Sequence, residues 1–184
     1  VTVPSTNDPA RLSYEFSTLD AVSNGRAQLI LGRASAPATF PLFGNAKDTY
    51  EQLFEEKLEL FMALQQKEAI TWAGTVRAPL NNQTLHPQMQ PGGIPTWIGV
   101  GGSPESVVRA ARYGMPLLLA IIGGAPERFV PYVDLYHRAL TQLGMPDLPV
   151  GAHSPGHIAE TDEQAAEELW PDYKIMRDRI GAER

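Results

Sequence analysis

Hydrophobic and polar positions follow two different spacings along this chain. Apolar residues recur at helical spacing from Tyr50 to Leu64, which predicts an amphipathic helix. Short apolar runs instead occupy residues 27–31, 95–100 and 115–122. Glycine or proline lies at the boundaries of these runs, so we interpret each as a strand, and the almost purely apolar run at 115–122 predicts a strand covered on both faces. Residues 148–158 offer one more strand.

Helix-start signals follow several of these runs. Asp8 and Ser103 each precede a proline, which is favoured at the first helical position. Asp48 and Glu51 have the spacing of a capping box, in which each end of the motif satisfies a free backbone amide. Strands and helices therefore alternate, which predicts an α/β fold with a parallel sheet, either doubly wound or closed into a barrel. We expect residues 1–184 to form a single domain.

Two segments show neither spacing. Residues 34–47 are rich in alanine, proline, phenylalanine and glycine without a period, which predicts a long loop. Residues 70–85 contain a turn signal at 79–82 and predict an irregular hairpin.

Composition and charge narrow the classes of partner. The formal charge of −6 argues against a nucleic-acid or anionic-membrane surface and favours a small-molecule partner. The chain contains no cysteine, which excludes disulfides and thiolate chemistry. The longest apolar run is too short to cross a bilayer, and the first residues lack a signal-peptide pattern, so we expect a soluble, cytoplasmic protein.

The strongest candidate for a ligand site is the segment that follows the predicted strand at 95–100. In parallel α/β folds, ligands bind beyond the carboxyl ends of the strands. Gly101 and Gly102 allow a close approach of the backbone, and Ser103 and Ser106 add hydroxyl donors at a helix N-terminus that favours an anion such as phosphate. Glu105 would repel an anion unless it points away. A tight turn with a serine cap explains the same residues equally well.

Two further strand ends carry candidates. Arg33 follows Gly32 at the end of the strand at 27–31, and it could offer a permanently charged, bidentate partner to the same phosphate if the sheet closes. An arginine at this place is also commonly a solvated surface residue. Gly123 and Gly124 could line a flat ring through backbone groups or could simply form a turn.

Other common site chemistries lack their motifs. His153 and His157 are four residues apart, but the intervening Ser-Pro-Gly disfavours a helix, so we predict no metal site. The chain has no Gly-x-Ser-x-Gly elbow and no Walker-type phosphate loop, which disfavours a serine hydrolase or a nucleoside triphosphatase.

Short segments spread in order along the chain carry a family resemblance. They are FSTLD at 16–20, SNGR at 23–26, LGR at 31–33, FPLFG at 40–44, LFEEK at 53–57, WAG at 72–74, IGVGGSPES at 98–106 and IIGG at 121–124. In this order they resemble the bacterial luciferase-like, flavin-dependent monooxygenase family.

The resemblance implies a (β/α)8 TIM barrel that binds reduced FMN, with the phosphate held by the loop after the fifth strand and the arginine after the fourth. Carried over residue by residue, the implied cofactor site comprises Arg33, Gly101, Gly102, Ser103 and Ser106 around the phosphate, and Gly32 and Gly123 near the ring system. The resemblance assigns no catalytic residue in this chain.

The implied activity is an oxidoreductase or monooxygenase reaction of reduced flavin and O2 with a small organic substrate. The resemblance also implies reduced flavin supplied by a flavin reductase or NAD(P)H, and a homo-oligomer, commonly a dimer. A deazaflavin-dependent relative would share the same barrel, so that cofactor stays open.

The chain also departs from the family pattern. Family members normally carry two strands and two helices before the position of Val1, including a histidine over the flavin, and an eighth strand after the segment at 148–158. We therefore expect an incomplete barrel with about strands 3 to 7. The alternative is a catalytically incompetent barrel fragment that acts as a structural or self-associating module, and uptake of FMN would distinguish the two.

Overall fold

The protein is described by a computed structural model that covers residues 1–34, 37–66 and 69–182. The chain divides into two compact units, Val1–His153 and Ser154–Arg184.

The larger unit is built on a four-stranded parallel sheet. The strands are β1 (Leu29–Leu31), β4 (Thr96–Val100), β5 (Leu117–Ala120) and β6 (Val150–His153), in the order β1-β4-β5-β6. Thr2 pairs in parallel with Leu31 at the outer side of β1. The predicted parallel sheet is confirmed, although each strand is shorter than its apolar run.

Four helices accompany this sheet: α1 (Pro9–Ser23), α2 (Tyr50–Leu64), α3 (Pro104–Arg112) and α4 (Val130–Gln142), the last preceded by a 3₁₀ turn at Pro126–Phe129. Asp8 caps α1, and its Oδ1 accepts the amide of Ala10 at 2.9 Å. Ser103 caps α3 in the same way, and a proline occupies the first turn of both helices. Both predicted caps are confirmed.

The start of α2 differs from the prediction. Thr49 is the N-cap and makes no side-chain capping bond, and Asp48 lies in a 3₁₀ turn at Lys47–Thr49. The predicted capping box is therefore wrong. The Glu51 carboxylate pairs with two arginines from other parts of the chain instead, because charge-assisted hydrogen bonds are stronger than a bond to a neutral amide.

The segment predicted as a long loop contains local helical structure. A 3₁₀ helix spans Pro37–Phe43, and within it the Phe40 side chain is fully buried 5.3 Å from the ring of Tyr50. This buried aromatic contact explains why the segment departs from an open loop. The part of the prediction that concerns Ser35 and Ala36 lies outside the described residues.

The core fills the space between the sheet and the helices. Leu117 and Leu119 are buried, whereas Leu118 and Ala120 are half-buried, so β5 is fully covered on one face only. Helix α2 contributes Phe54, Leu58 and Phe61, all fully buried, which confirms its predicted apolar face. Full burial of such side chains stabilises the fold by about 1.5–3 kcal/mol each.

A two-stranded antiparallel hairpin, β2 (Ile70–Trp72) and β3 (Leu80–Gln83), follows α2. Its register shifts between Ile70 and Trp72, which confirms the predicted irregular hairpin. The smaller unit consists mainly of α5 (Asp162–Ala182), where Thr161 Oγ1 accepts the amide of Gln164 at 3.2 Å. None of the helices in the described ranges is long and apolar enough to span a membrane.

Candidate cofactor phosphate site

Three predicted strand ends lie at one edge of the sheet. β1, β4 and β5 are parallel neighbours, with Leu31 opposite Ile98 and Val100 opposite Leu119. The segments that follow them hold Arg33, the Gly101–Ser106 loop and Gly123. Parallel strands bring their carboxyl ends together, so these candidates share the edge at which ligands bind in α/β folds.

The loop after β4 is a tight, capped turn. Ser103 Oγ accepts the Ser106 amide, and the two serine hydroxyls are 3.3 Å apart. Gly102 has a φ of +124°, which favours glycine, and its carbonyl accepts the Tyr132 hydroxyl at 2.9 Å. A side chain at Gly101 would meet open space. The serine cap is thus present, and space remains beside it for a bound group.

Arg33 is not a solvated surface residue. Its side chain is 19% exposed, and its guanidinium lies 5.2 Å from the centre of the Tyr50 ring. Nη1 donates to the Glu51 carboxylate. Burial lowers the pKa of Arg33, and the nearby carboxylates of Glu105 and Glu55 offset only part of that effect.

A buried arginine at this edge, Arg109 of α3, is not among the residues that the sequence predicts for the site. Its side chain is 7% exposed and packs 5.2 Å from the Phe54 ring. Nη1 donates to Ser106 Oγ at 3.2 Å, Nη2 donates to Glu51 at 2.6 Å and Nε donates to Glu55. The available signal was its position one turn after Ser106, on the same side of the helix.

Glu51 joins the two arginines, since one carboxylate oxygen accepts from Arg33 and the other from Arg109. A continuous polar path therefore runs from Arg33 through Glu51 and Arg109 to the serines of the β4 loop. We use the name arginine–glutamate cluster for the residues Arg33, Glu51, Glu55, Arg109 and Arg112.

Glu55 anchors α3 to α2 within this cluster. It accepts from Arg109, from Arg112 at 3.0 Å and from the Tyr113 hydroxyl at 2.9 Å. Burial opposes the ionisation of Glu55, but the hydrogen bonds from Arg109 and Tyr113 and the nearby positive charges outweigh it and lower its pKa. Burial and the same carboxylate raise the pKa of Tyr113. Glu55 is therefore a carboxylate at neutral pH.

Glu105 lies at the rim, as the sequence suggests. It accepts the Ser103 hydroxyl at 2.8 Å. Its own backbone amide and that hydroxyl lower its pKa, so it stays charged. An anion that uses the Ser103 hydroxyl must compete with this carboxylate.

The two glycines predicted near the ring system occupy different settings. Gly32 is buried, its amide donates to Thr2 at 2.9 Å, and a side chain at this position would come within 2.5 Å of Val1 Cγ1. Close packing therefore accounts for this glycine. Gly123 is half-buried just beyond β5. Contact of either glycine with a flavin ring stays a prediction.

The donor set of this edge fits a phosphate group. Arg109 bonds to Ser106 and is linked to Arg33 through Glu51, and the two serine hydroxyls lie in the first turn of α3, next to Gly101, where a side chain would meet open space. Glu51 and Glu105 are the competing carboxylates. Within the described ranges no cluster of three or more His, Cys, Asp or Glu side chains could hold a metal ion.

Comparisons with known proteins identify the family and the fold of the chain. Residues 1–182 match the family model described as luciferase-like monooxygenase. Among curated proteins, the chain is 34% identical over 112 residues to an uncharacterized protein, y4wF, from Sinorhizobium fredii, a match that covers 60% of this chain and 32% of that protein.

Solved structures show the same fold. The monooxygenase RslO1 from Streptomyces bottropensis superimposes with a TM-score of 0.82 at 23% identity, over 99% of this chain and 55% of that one. EDTA monooxygenase from Chelativorans sp. BNC1 superimposes with a TM-score of 0.71 at 18% identity, over 98% of this chain and 48% of that one. The coenzyme F420 dependent tetrahydromethanopterin reductase from Methanopyrus kandleri superimposes with a TM-score of 0.67 at 20% identity, over 91% of this chain and 52% of that one.

The chain spans about half the length of these structures and about a third of the curated relative. The predicted fold class is confirmed as α/β of the TIM-barrel type, in the part of the barrel that this chain covers.

Proposed function

Because the chain belongs to the luciferase-like monooxygenase family, we propose that it supplies the phosphate-binding edge of an FMN-dependent oxidoreductase. That enzyme would use reduced flavin and O2 on a small organic substrate. The observation that carries the proposal is the chain of bonds that joins Arg33, after β1, through Glu51 and Arg109 to Ser106, in the loop after β4.

The described residues would bind and orient the cofactor. Arg33 would pair with the phosphate, Ser103 and Ser106 would donate their hydroxyls, and the glycines of the loop would allow the phosphate to approach the helix N-terminus. Bound FMN would supply the redox chemistry with O2. We propose that reduced flavin comes from a flavin reductase or from NAD(P)H, and that the working form is a homo-oligomer such as a dimer.

Cofactor identity is the first thing to test. Visible absorption and intact mass should be recorded for the purified chain after addition of FMN, with coenzyme F420 titrated in parallel. The proposal expects a flavin spectrum that stays with the protein through gel filtration. Retention of F420 alone would move the assignment to the deazaflavin branch. A colourless chain of 20.1 kDa that associates with rising concentration would favour the structural module.

The role of Arg33 gives a sharper test. Arg33→Ala should weaken FMN binding by about 1.5–3 kcal/mol, because a charge-assisted bond to the phosphate is lost. Arg26→Ala is the matched control, since Arg26 is exposed and bonds locally to Ser23. Isothermal titration measures both variants. Equal FMN affinity in Arg33→Ala and the wild type would remove Arg33 from the site.

A further inference from the structure

We propose that Glu51 is an internal counter-ion that pairs with Arg33 and releases it when a phosphate group binds. This inference rests on the proposed function, because it assigns the phosphate of FMN to the same arginine. It adds a residue that sets affinity by competition and does not itself touch the flavin ring.

Glu51 is placed to compete with an anion. It lies in the first turn of α2, and its two oxygens bond to Arg33 and Arg109. Both cations thus already hold a carboxylate in the arrangement that a bridging phosphate would use. A phosphate that takes the Nη1 donor of Arg33 must therefore displace this carboxylate.

Exposure separates Glu51 from its neighbour Glu55. The Glu51 side chain is 56% exposed, whereas that of Glu55 is 27% exposed and is held by α3 through Arg109 and Arg112. An exposed carboxylate can rotate into water at little cost, since exposed ion pairs contribute little to stability. Arg109 keeps Glu55 and Ser106 as partners when Glu51 leaves.

The charge balance gives the direction of the effect. Six side chains carry the charge around the site: Arg33, Arg109 and Arg112 on the positive side, and Glu51, Glu55 and Glu105 on the negative side. They sum to about zero, whereas a phosphate monoester brings about two negative charges at neutral pH. Neutralising Glu51 leaves a net positive site, which should favour the phosphate.

The experiment compares FMN with riboflavin, which lacks the phosphate, in the wild type, Glu51→Gln and Glu59→Gln. Glu59 lies two turns further along α2 and accepts only a long bond from Tyr113 at 3.4 Å among the bonds described, so it is the matched control. We expect Glu51→Gln to raise the FMN-to-riboflavin affinity ratio by about threefold to tenfold. Glu59→Gln should leave the ratio within about twofold.

A double-mutant cycle shows whether Glu51 acts through Arg33. In an Arg33→Ala background, Glu51→Gln should raise the FMN-to-riboflavin affinity ratio by less than about twofold, because Arg33, the group for which Glu51 and the phosphate compete, is absent. Glu51→Ala serves as a second variant, and circular dichroism checks that each variant is folded.

The outcomes separate the two claims. Wild-type FMN binding with an unchanged or lower ratio in Glu51→Gln would overturn the counter-ion role and leave the proposed function standing. FMN binding by Glu51→Gln with little binding by the wild type would support it. If neither Glu51→Gln nor the wild type binds FMN, the proposed function fails and the counter-ion role falls with it.

Discussion

Helix α2 is joined to α3 by side-chain hydrogen bonds and packs against α1, and a buried cation lies at each of these two contacts, which we call the α3 flank and the α1 flank. On the α3 flank, Arg109 bonds to two carboxylates and a serine hydroxyl. On the α1 flank, Lys57 and Arg77 lie near a single carboxylate, Asp8, which also caps α1.

The α1 flank leaves polar groups poorly satisfied. Lys57 is 9% exposed, and its ammonium donates to the Ser5 carbonyl at 2.7 Å. Burial lowers its pKa, and the charge of Asp8 only partly offsets that effect. Among the described residues, the buried Arg77 Nη1 and Ser5 Oγ have no hydrogen-bond partner.

The comparison shows that burial alone does not decide what a charge contributes. Where carboxylates surround the cation, removing it strands their charges and costs much free energy. Where a cation has few partners, its interactions do not offset the cost of its desolvation, and an apolar replacement can be neutral or stabilising. Three substitutions on α2 and α3 put this difference to the test.

The largest effect should come from Arg109→Ala on the α3 flank. We expect the free energy of unfolding to fall by about 3–5 kcal/mol, because the partly buried Glu55 and the Ser106 hydroxyl lose their bonds to Arg109. Urea unfolding measures the change. Arg112→Ala is the control: its side chain is 57% exposed and should cost at most about 1 kcal/mol. Equal losses in the two variants would show that burial of Arg109 adds nothing.

An intermediate effect is expected for Glu55→Gln, which keeps the shape of the side chain. The free energy of unfolding should fall by about 1.5–3 kcal/mol at neutral pH, because the hydrogen bonds that Glu55 accepts from charged donors are weakened.

The pH dependence of Glu55→Gln follows from its lowered pKa. A carboxyl whose pKa is depressed by folding stabilises the protein above its ordinary pKa of 4.5, and this stabilisation is lost as the pH falls through the folded-state value. The wild-type and Glu55→Gln unfolding free energies should therefore converge in acid. Glu59→Gln serves as the reference variant. If the difference in unfolding free energy between the wild type and Glu55→Gln stays constant down to acid pH, the Glu55 carboxylate is not the source of the stabilisation.

The smallest effect should come from Lys57→Met on the α1 flank. Removing the ammonium while keeping the apolar stem should change the unfolding free energy by less than about 1 kcal/mol, or raise it, because desolvation of the charge is relieved.

The pH profile supplies the diagnostic for Lys57→Met. The pKa of Lys57 is lowered in the folded state, so wild-type stability should rise with pH between that value and the ordinary pKa of 10.5, where the unfolded chain binds more protons. Lys57→Met should lack this rise in urea unfolding at alkaline pH. If Lys57→Met lowered the unfolding free energy as much as Arg109→Ala does, the buried cations of the two flanks would contribute equally to stability.

Local interactions explain most of what could be predicted. The caps at Asp8 and Ser103 depend on backbone amides two or three residues away, and the apolar face of α2 depends on spacing within one helix. Sequence analysis also placed Arg33 and the β4 loop at one sheet edge, since strand alternation implies a parallel sheet. The family resemblance added the interpretation of that edge as a cofactor site.

The partner of Glu51 could not be predicted from local spacing. Its spacing from Asp48 satisfies the capping-box pattern, yet its carboxylate bonds to arginines 18 and 58 positions away in the sequence. Arg109 was missed for the same reason, because its partner Glu55 is 54 positions away on another helix. Nothing in the spacing of either residue identifies such a partner.

The sequence by itself determined the alternation of strands and helices, the caps, and the family, because these depend on short-range patterns and ordered motifs. Only the tertiary structure decided which carboxylate each buried arginine meets. Helix packing brings together side chains that are far apart in the sequence, and burial then makes their pairing the preferred way to satisfy the charges.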